Sequence, residues 1–370
     1  MPIQEIMPIQ EITPIQEITP VKDITRRQFG IGAALSVAGI ASPGTAQAEL
    51  AGDAEKALYE AAKTEGEVTW YDAHHHVELA ELYGKAFTEK YPGVKINVVR
   101  TTANIAYQRV VQELKAGSLQ CDVLSSTDIS HAMELKTKGL IEKFTPANAA
   151  TVIPALQNSD PDGFFHVTST GTIAVTYHSG KVKPEDVPKN WTDLVDPKWK
   201  NQVSVGHPAF SGYVSIWVYE MDRLYGWQYF EKLKAGNPQI GRSIQDTLTM
   251  LRSGERMVAA GSTSTAFESK TKGEPIDVAY PEDGTLVVVA PSCILKGAKK
   301  PNAAKLFMEY MSSPAASRIA VDAFGESIHA AIKPKAGKSL DQLKTIVAKP
   351  DLLLKAQSDL KEKWRETFGV

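Results

Sequence analysis

Cysteine is scarce in this chain of 370 residues: there are two, Cys121 and Cys293. That is too few for a disulfide scaffold and too few for an iron–sulfur cluster held by four thiolates. An excess of charge of one sign is lacking too. The 41 Lys and Arg against 43 Asp and Glu leave a net charge of −2, so no basic footprint for nucleic acid appears. Beyond the N-terminal region no run is apolar enough to cross a bilayer core of about 30 Å. Catalytic signatures are missing as well. There is no G-x-S-x-G elbow, no H-E-x-x-H and no P-loop. The stretch "AFSGY" carries Ser211 without elbow spacing, and His207, four residues before it, reads as a loop neighbour. No catalytic residue is assigned, although a secreted hydrolase stays as an alternative.

The N-terminus repeats a polar hexapeptide, "MPIQEI", too short in each copy to enclose a core. Arg26 and Arg27 then precede an apolar run from Phe29 to Ala41, and Ala46-Gln47-Ala48 forms a small-x-small site. This is the pattern of a twin-arginine secretory signal cleaved near Ala48, with the periplasm as destination. The leader is residues 1–48. The remainder has room for two domains.

From Ala54, helical and strand patterns alternate. "EVTWYDA", "VKINVVR" and "CDVLSST" read as strands, each followed by an amphipathic helix. Strands this apolar indicate a parallel sheet covered on both faces. A long β-rich segment over 164–179 reads as a crossing between two lobes, and "TLVVVAPSCILKG" as the return. The expected fold is α/β: a two-lobed clamshell with two doubly wound lobes and two crossover strands. Lobe 1 is 49–168 and 288–370, with the C-terminal helices; lobe 2 is 169–287.

Ligands of open α/β sheets bind beyond the carboxyl ends of the strands. Those ends carry Tyr71, Asp72 and His74; Thr102; Ser126 and Thr127; and, at the crossing, Thr170. Lobe 2 adds Ser211 and Gly212, Arg242 and Ser243, and Thr263 and Ser264. Hydroxyls, small residues and helix starts suit a phosphate, phosphonate or carboxylate. The same residue types also cap helices in any α/β protein. Three consecutive histidines, His74 to His76, follow the first strand. On an extended segment neighbours point to opposite faces, so either His74 with His76, or His75 alone, is expected to face the cleft. No H-x-x-H or C-x-x-C partner accompanies them, so neither a metal site nor a cofactor is assigned.

"FTEKYPGVKI", "WTDLVDPKWKNQVSVGHPAFSG" and "KKPNAAKLFMEYMSSPAASRI" resemble periplasmic solute-binding proteins of ABC importers, type II fold. The branch is the one that includes ferric-ion, thiamine, phosphonate and sugar-phosphate binders. The resemblance implies a monomer that captures a small-molecule ligand and delivers it to an ABC permease in the inner membrane. It also places Arg242 where family members contact ligand, with a guanidinium suited to gripping two anion oxygens. Ferric-ion members use paired tyrosines, at the position of Ser264 and Thr265 here, so iron is the alternative and an anionic organic solute the main expectation. The family fold sets Cys121 and Cys293 on adjacent strands. A disulfide stays open, with two buried thiols preferred because such sulfurs rarely meet bridge geometry.

Overall fold

The computed structural model describes residues 43–157 and 159–370. Of the expected leader, residues 1–42 lie outside them, while residues 43–48, with the expected cleavage tripeptide, fall within the first helix. Helix and strand alternate as their apolar spacing dictates: α1 (Pro43–Glu65), β1 (Glu67–Asp72), α2 (Val77–Lys90), β2 (Lys95–Arg100), α3 (Ala103–Lys115), β3 (Val123–Ser125) and α4 (Ile129–Thr137). Gly117 ends α3 with φ 63°, a conformation that favours glycine. A short α5 (Pro154–Gln157) leads to β4 (Phe165–His178), the long crossing expected over 164–179.

The middle of the chain adds β5 (Val203–Val205), α6 (Gly212–Tyr225), α7 (Gln228–Ala235), β6 (Gln239–Ile240), α8 (Ile244–Arg252), β7 (Val258–Ser262), α9 (Thr263–Thr271) and β8 (Ile276–Ala279). The return is β9 (Thr285–Ile294), followed by α10 (Pro301–Met311), α11 (Pro314–Asp322), β10 (Thr345–Val347) and α12 (Pro350–Phe368). The aromatic-rich run Tyr213–Leu233 has the spacing of one helix. It is two, because Gly226 at φ 72° breaks the chain between α6 and α7.

The sheet runs β2-β1-β3-β9-β4-β7-β5-β6, with β8 beside β4 and β10 beside β9. Its outer strands pair in parallel, as expected. The long strands β4 and β9 are antiparallel to each other and to β7 and β3, so the sheet as a whole is mixed. β9 holds β3 through Ile294 to Ser292, while β4 holds β7 through Ile173 to Tyr177. These two strands therefore tie one half of the sheet to the other. A bulge between Val167 and Ser169 interrupts their pairing, which bends a strand locally. Cys121 and Cys293 are both buried free thiols, and burial pushes the Cys293 thiol up to about 12.

The C-terminal helix, expected with lobe 1, touches both halves. α12 packs on α6 and α7 as well as on α4. The reason is Trp364, fully buried with its ring against Phe230 and Phe368. Trp227 Nε1 also donates to Thr367 Oγ1 at 2.9 Å. An apolar face this large goes to the deepest matching groove, whichever half supplies it. Among the described residues no helix is long and apolar enough to cross a membrane.

Candidate ligand cleft

β1 ends on Asp72, whose buried carboxylate organises the histidine segment after it. It accepts from the amides of His74 (3.0 Å) and His75 (3.2 Å) and from His75 Nδ1 (3.2 Å). Burial pushes its pKa up, but His75, the Arg100 guanidinium and the His74 amide outweigh that and hold it below the usual carboxylate value. These bonds curl His74 to His76 into a bend. The alternation expected of an extended segment therefore fails, and all three histidines line one cavity.

Each imidazole has a different task. His75 Nδ1 lies 3.2 Å from the ionised Asp72 carboxylate, and its Nε2 lies 3.3 Å from Ser169 Oγ. His74 stacks on Tyr213 (centroids 5.8 Å apart, planes at 14°), with the phenol oxygen 3.4 Å from its Nδ1. Burial, then the neighbouring His75 and Arg100, push His74 down to about 3. It is neutral at pH 7 and offers no positive charge to a ligand. His76 caps α2, accepting from the Leu79 amide at 3.3 Å, and its Nε2 lies 3.7 Å from Glu268 Oε2.

The facing wall comes from β4 with Ser169, Thr170 and Gly171, from Tyr213 on α6 and from Gln245 on α8. The start of α9 adds Ser262, Ser264 and Thr265, with Glu268 a turn further on. The N-terminal ends of α2, α8 and α9 thus border a single cavity, which encloses about 30 Å³. That is room for a water molecule, so the two halves are closed on each other. Ser262 occupies the N-cap position of α9 without capping it. Its hydroxyl lies 3.0 Å from Ser264 Oγ instead. A larger groove of about 910 Å³, between Asp196, Leu224 and Lys232, shares no residue with this cavity. The smaller one is the candidate because strand and helix ends converge there.

Of the expected site residues, His74, Thr170 and Ser264 line the cavity. Tyr71 faces away: its hydroxyl donates to Glu113 Oε1 at 2.6 Å, with Arg109 over its ring. Thr102 heads α3, its Oγ1 buried without a partner. Ser126 bonds His131 Nδ1 at 2.9 Å, and Thr127 packs against Gly212. Ser211 is the N-cap residue of α6. Thr263 lies deeper, 2.6 Å from Thr172 Oγ1. Ser243 forms a capping box with Asp246. Arg242 does not reach the cavity. It is exposed, its guanidinium carbon 5.1 Å from the centre of the exposed Phe210 ring, a cation–π contact outside the cavity lining. Tyr213, Glu268 and Arg100 went unanticipated. Arg100 donates to the carbonyls of His75 and Thr101 and so braces the histidine bend.

Two α/β halves joined by a pair of antiparallel crossing strands, with strand ends turned to one cavity, define a type II periplasmic-binding-protein clamshell. The chain belongs to the bacterial extracellular solute-binding proteins, whose family model matches residues 121–345. It is the substrate-binding component of an ABC importer, a class that captures small ligands and hands them to a membrane permease. A putative 2-aminoethylphosphonate-binding periplasmic protein from Salmonella typhi is 22% identical over 281 residues, which cover 73% of this chain and 77% of that protein. The fold matches the periplasmic binding protein AfuA of Actinobacillus pleuropneumoniae with fructose-6-phosphate bound. There the TM-score is 0.74 and the identity 22%, over 82% of this chain and 99% of that one. It equally matches iron-bound HitA of Pseudomonas aeruginosa, with TM-score 0.70 and identity 22%, over 81% and 99%.

Proposed function

We propose that the cleft binds a small anionic organic solute, one carrying a phosphate, phosphonate or carboxylate. The observation that carries this reading is the start of α9. Its N-cap serine does not cap, and the first turn presents Ser264 and Thr265 to the cavity. A helix N-terminus favours negative charge, and those of α2 and α8 stand beside it. The bound phosphate ester in AfuA and the phosphonate in the name of the Salmonella protein agree with this chemistry.

The lobes are residues 49–168 with the return segment from 288, and residues 169–287, with α12 laid across both. They part by bending near the bulge in β4, over Thr168 to Thr172, and over Pro281 to Val289 in and before β9. Opening is required, since the closed cavity is far smaller than a phosphorylated solute. No bond is made or broken. His207 Nδ1 accepts from the Ala209 amide, which occupies the nitrogen a base would offer Ser211. The protein acts as a monomer, exported to the periplasm through the twin-arginine leader.

Native mass spectrometry of freshly purified protein, followed by calorimetry with the recovered compound, tests the assignment. A retained phosphate, phosphonate or carboxylate supports it. Retained ferric ion, or a ligand without an acidic group, overturns it. With the ligand in hand, Ser264→Ala is expected to weaken binding by about 1 kcal/mol, roughly fivefold.

A further inference from the structure

The stretch "AFSGY", Ala209 to Tyr213, does something no serine chemistry explains. It touches the opposite half at Ala209, Gly212 and Tyr213. The Ala209 carbonyl accepts from Asn104 Nδ2 at 2.6 Å. Gly212 lies so close to Thr127 that a Cβ there would sit 2.4 Å from Thr127 Oγ1 and 2.8 Å from its carbonyl oxygen. Tyr213 stacks on His74. None of these contacts involves a ligand.

Asn104 is aimed by a fixed chain of donors. The Ala209 carbonyl can only accept, so the amide nitrogen must face it, leaving Oδ1 for His131 Nε2 at 3.0 Å. His131 Nε2–H therefore donates, and its Nδ1 accepts from Ser126 Oγ at 2.9 Å. Ser126 Oγ in turn accepts from the Asp128 amide at 3.1 Å. The imidazole is buried and stacks on Tyr107 with centroids 4.4 Å apart and planes at 3°. The carboxamide thus cannot rotate without breaking a bond already paired.

We propose that Asn104, held by His131, is the positioning residue of a ligand-independent latch that closes the cleft onto Ala209–Tyr213. The latch sets how much of the ligand-free protein is closed, and so how fast a bound solute escapes. This rests on the reading of two moving lobes, but not on which solute they hold.

Small-angle scattering of the ligand-free mature chain, alone and as Asn104→Asp, provides the test. The variant keeps the shape and the acceptor for His131 while setting an oxygen against the Ala209 carbonyl. The wild-type curve should fit the closed form. Asn104→Asp should show a larger radius of gyration and faster amide exchange at Thr127 and Ser211, with little change in melting temperature. Asn104→Ser, which cannot span the gap, should do the same if Asn104→Asp does not fold. A wild type that is open without ligand, or variants with scattering and exchange unchanged, would overturn the latch. Neither result touches the anion reading, which stands or falls on the co-purified compound.

Discussion

His74 shows how burial decides what a histidine can do. Its pKa in the folded protein is about 3, against 6.5 ordinarily. Between those values the unfolded chain binds the proton and the folded chain does not, so stability rises with pH there and is lost as pH falls below about 6.5. Asp72, held low, adds a loss only below the ordinary carboxylate range of about 4. Melting at pH 7.5 and pH 5 should show the drop, and His74→Gln should shrink it. An unchanged pH difference in that variant would assign the effect elsewhere. A histidine beside an anion suggests binding that weakens as pH rises through its titration. A neutral His74 cannot supply it.

Residue by residue, legibility followed locality. Ser243 and Asp246 stand in capping-box spacing, S-x-x-D, so the cap was readable and outweighs a ligand role for Ser243. The three histidines escape a periodic reading because their bend depends on Asp72 turning its carboxylate back on the amides, which no period reveals. Tyr213 was in plain view in "AFSGY", but its ring meets His74 only through the fold. Arg242 has the chemistry to grip an anion, but its stacking on Phe210 outside the cavity lining depends on the fold and not on local sequence.

Elements were more legible than side chains. The strand–helix alternation of the first half, the long crossing β4 and the return β9 follow from apolar spacing and glycine or proline stops. Gly226 was a readable break that the aromatic run obscured. The docking of α12 was not legible, because an amphipathic helix states which face is buried but not against what. Trp364 anchors it, fully buried between Phe230 and Phe368. Trp364→Ala is expected to cost about 3–5 kcal/mol, read as a lower denaturant midpoint at unchanged slope. A loss under about 1 kcal/mol would mean that α12 contributes little to holding the halves.

For the whole molecule the decisive property is closure. Gly212→Ala sets a methyl group against the backbone of Thr127 and should keep the lobes apart. Affinity for the co-purified solute should fall at least tenfold, about 1.4 kcal/mol, while the melting temperature without ligand changes little. The clamshell was legible in outline because the alternation of the first half is followed by a long crossing strand and a return. The closed cavity of about 30 Å³ was not, since its volume depends on how side chains from distant strands meet.

The most direct measurement is a crystal structure grown with the co-purified solute. Oxygens of an acidic group should lie against the first turn of α9, within hydrogen-bond reach of Ser264 and of the β4 segment Ser169 to Gly171. Density outside the space between the lobes, or a metal ion held there by His74 and its neighbours, would contradict the anion-binding cleft.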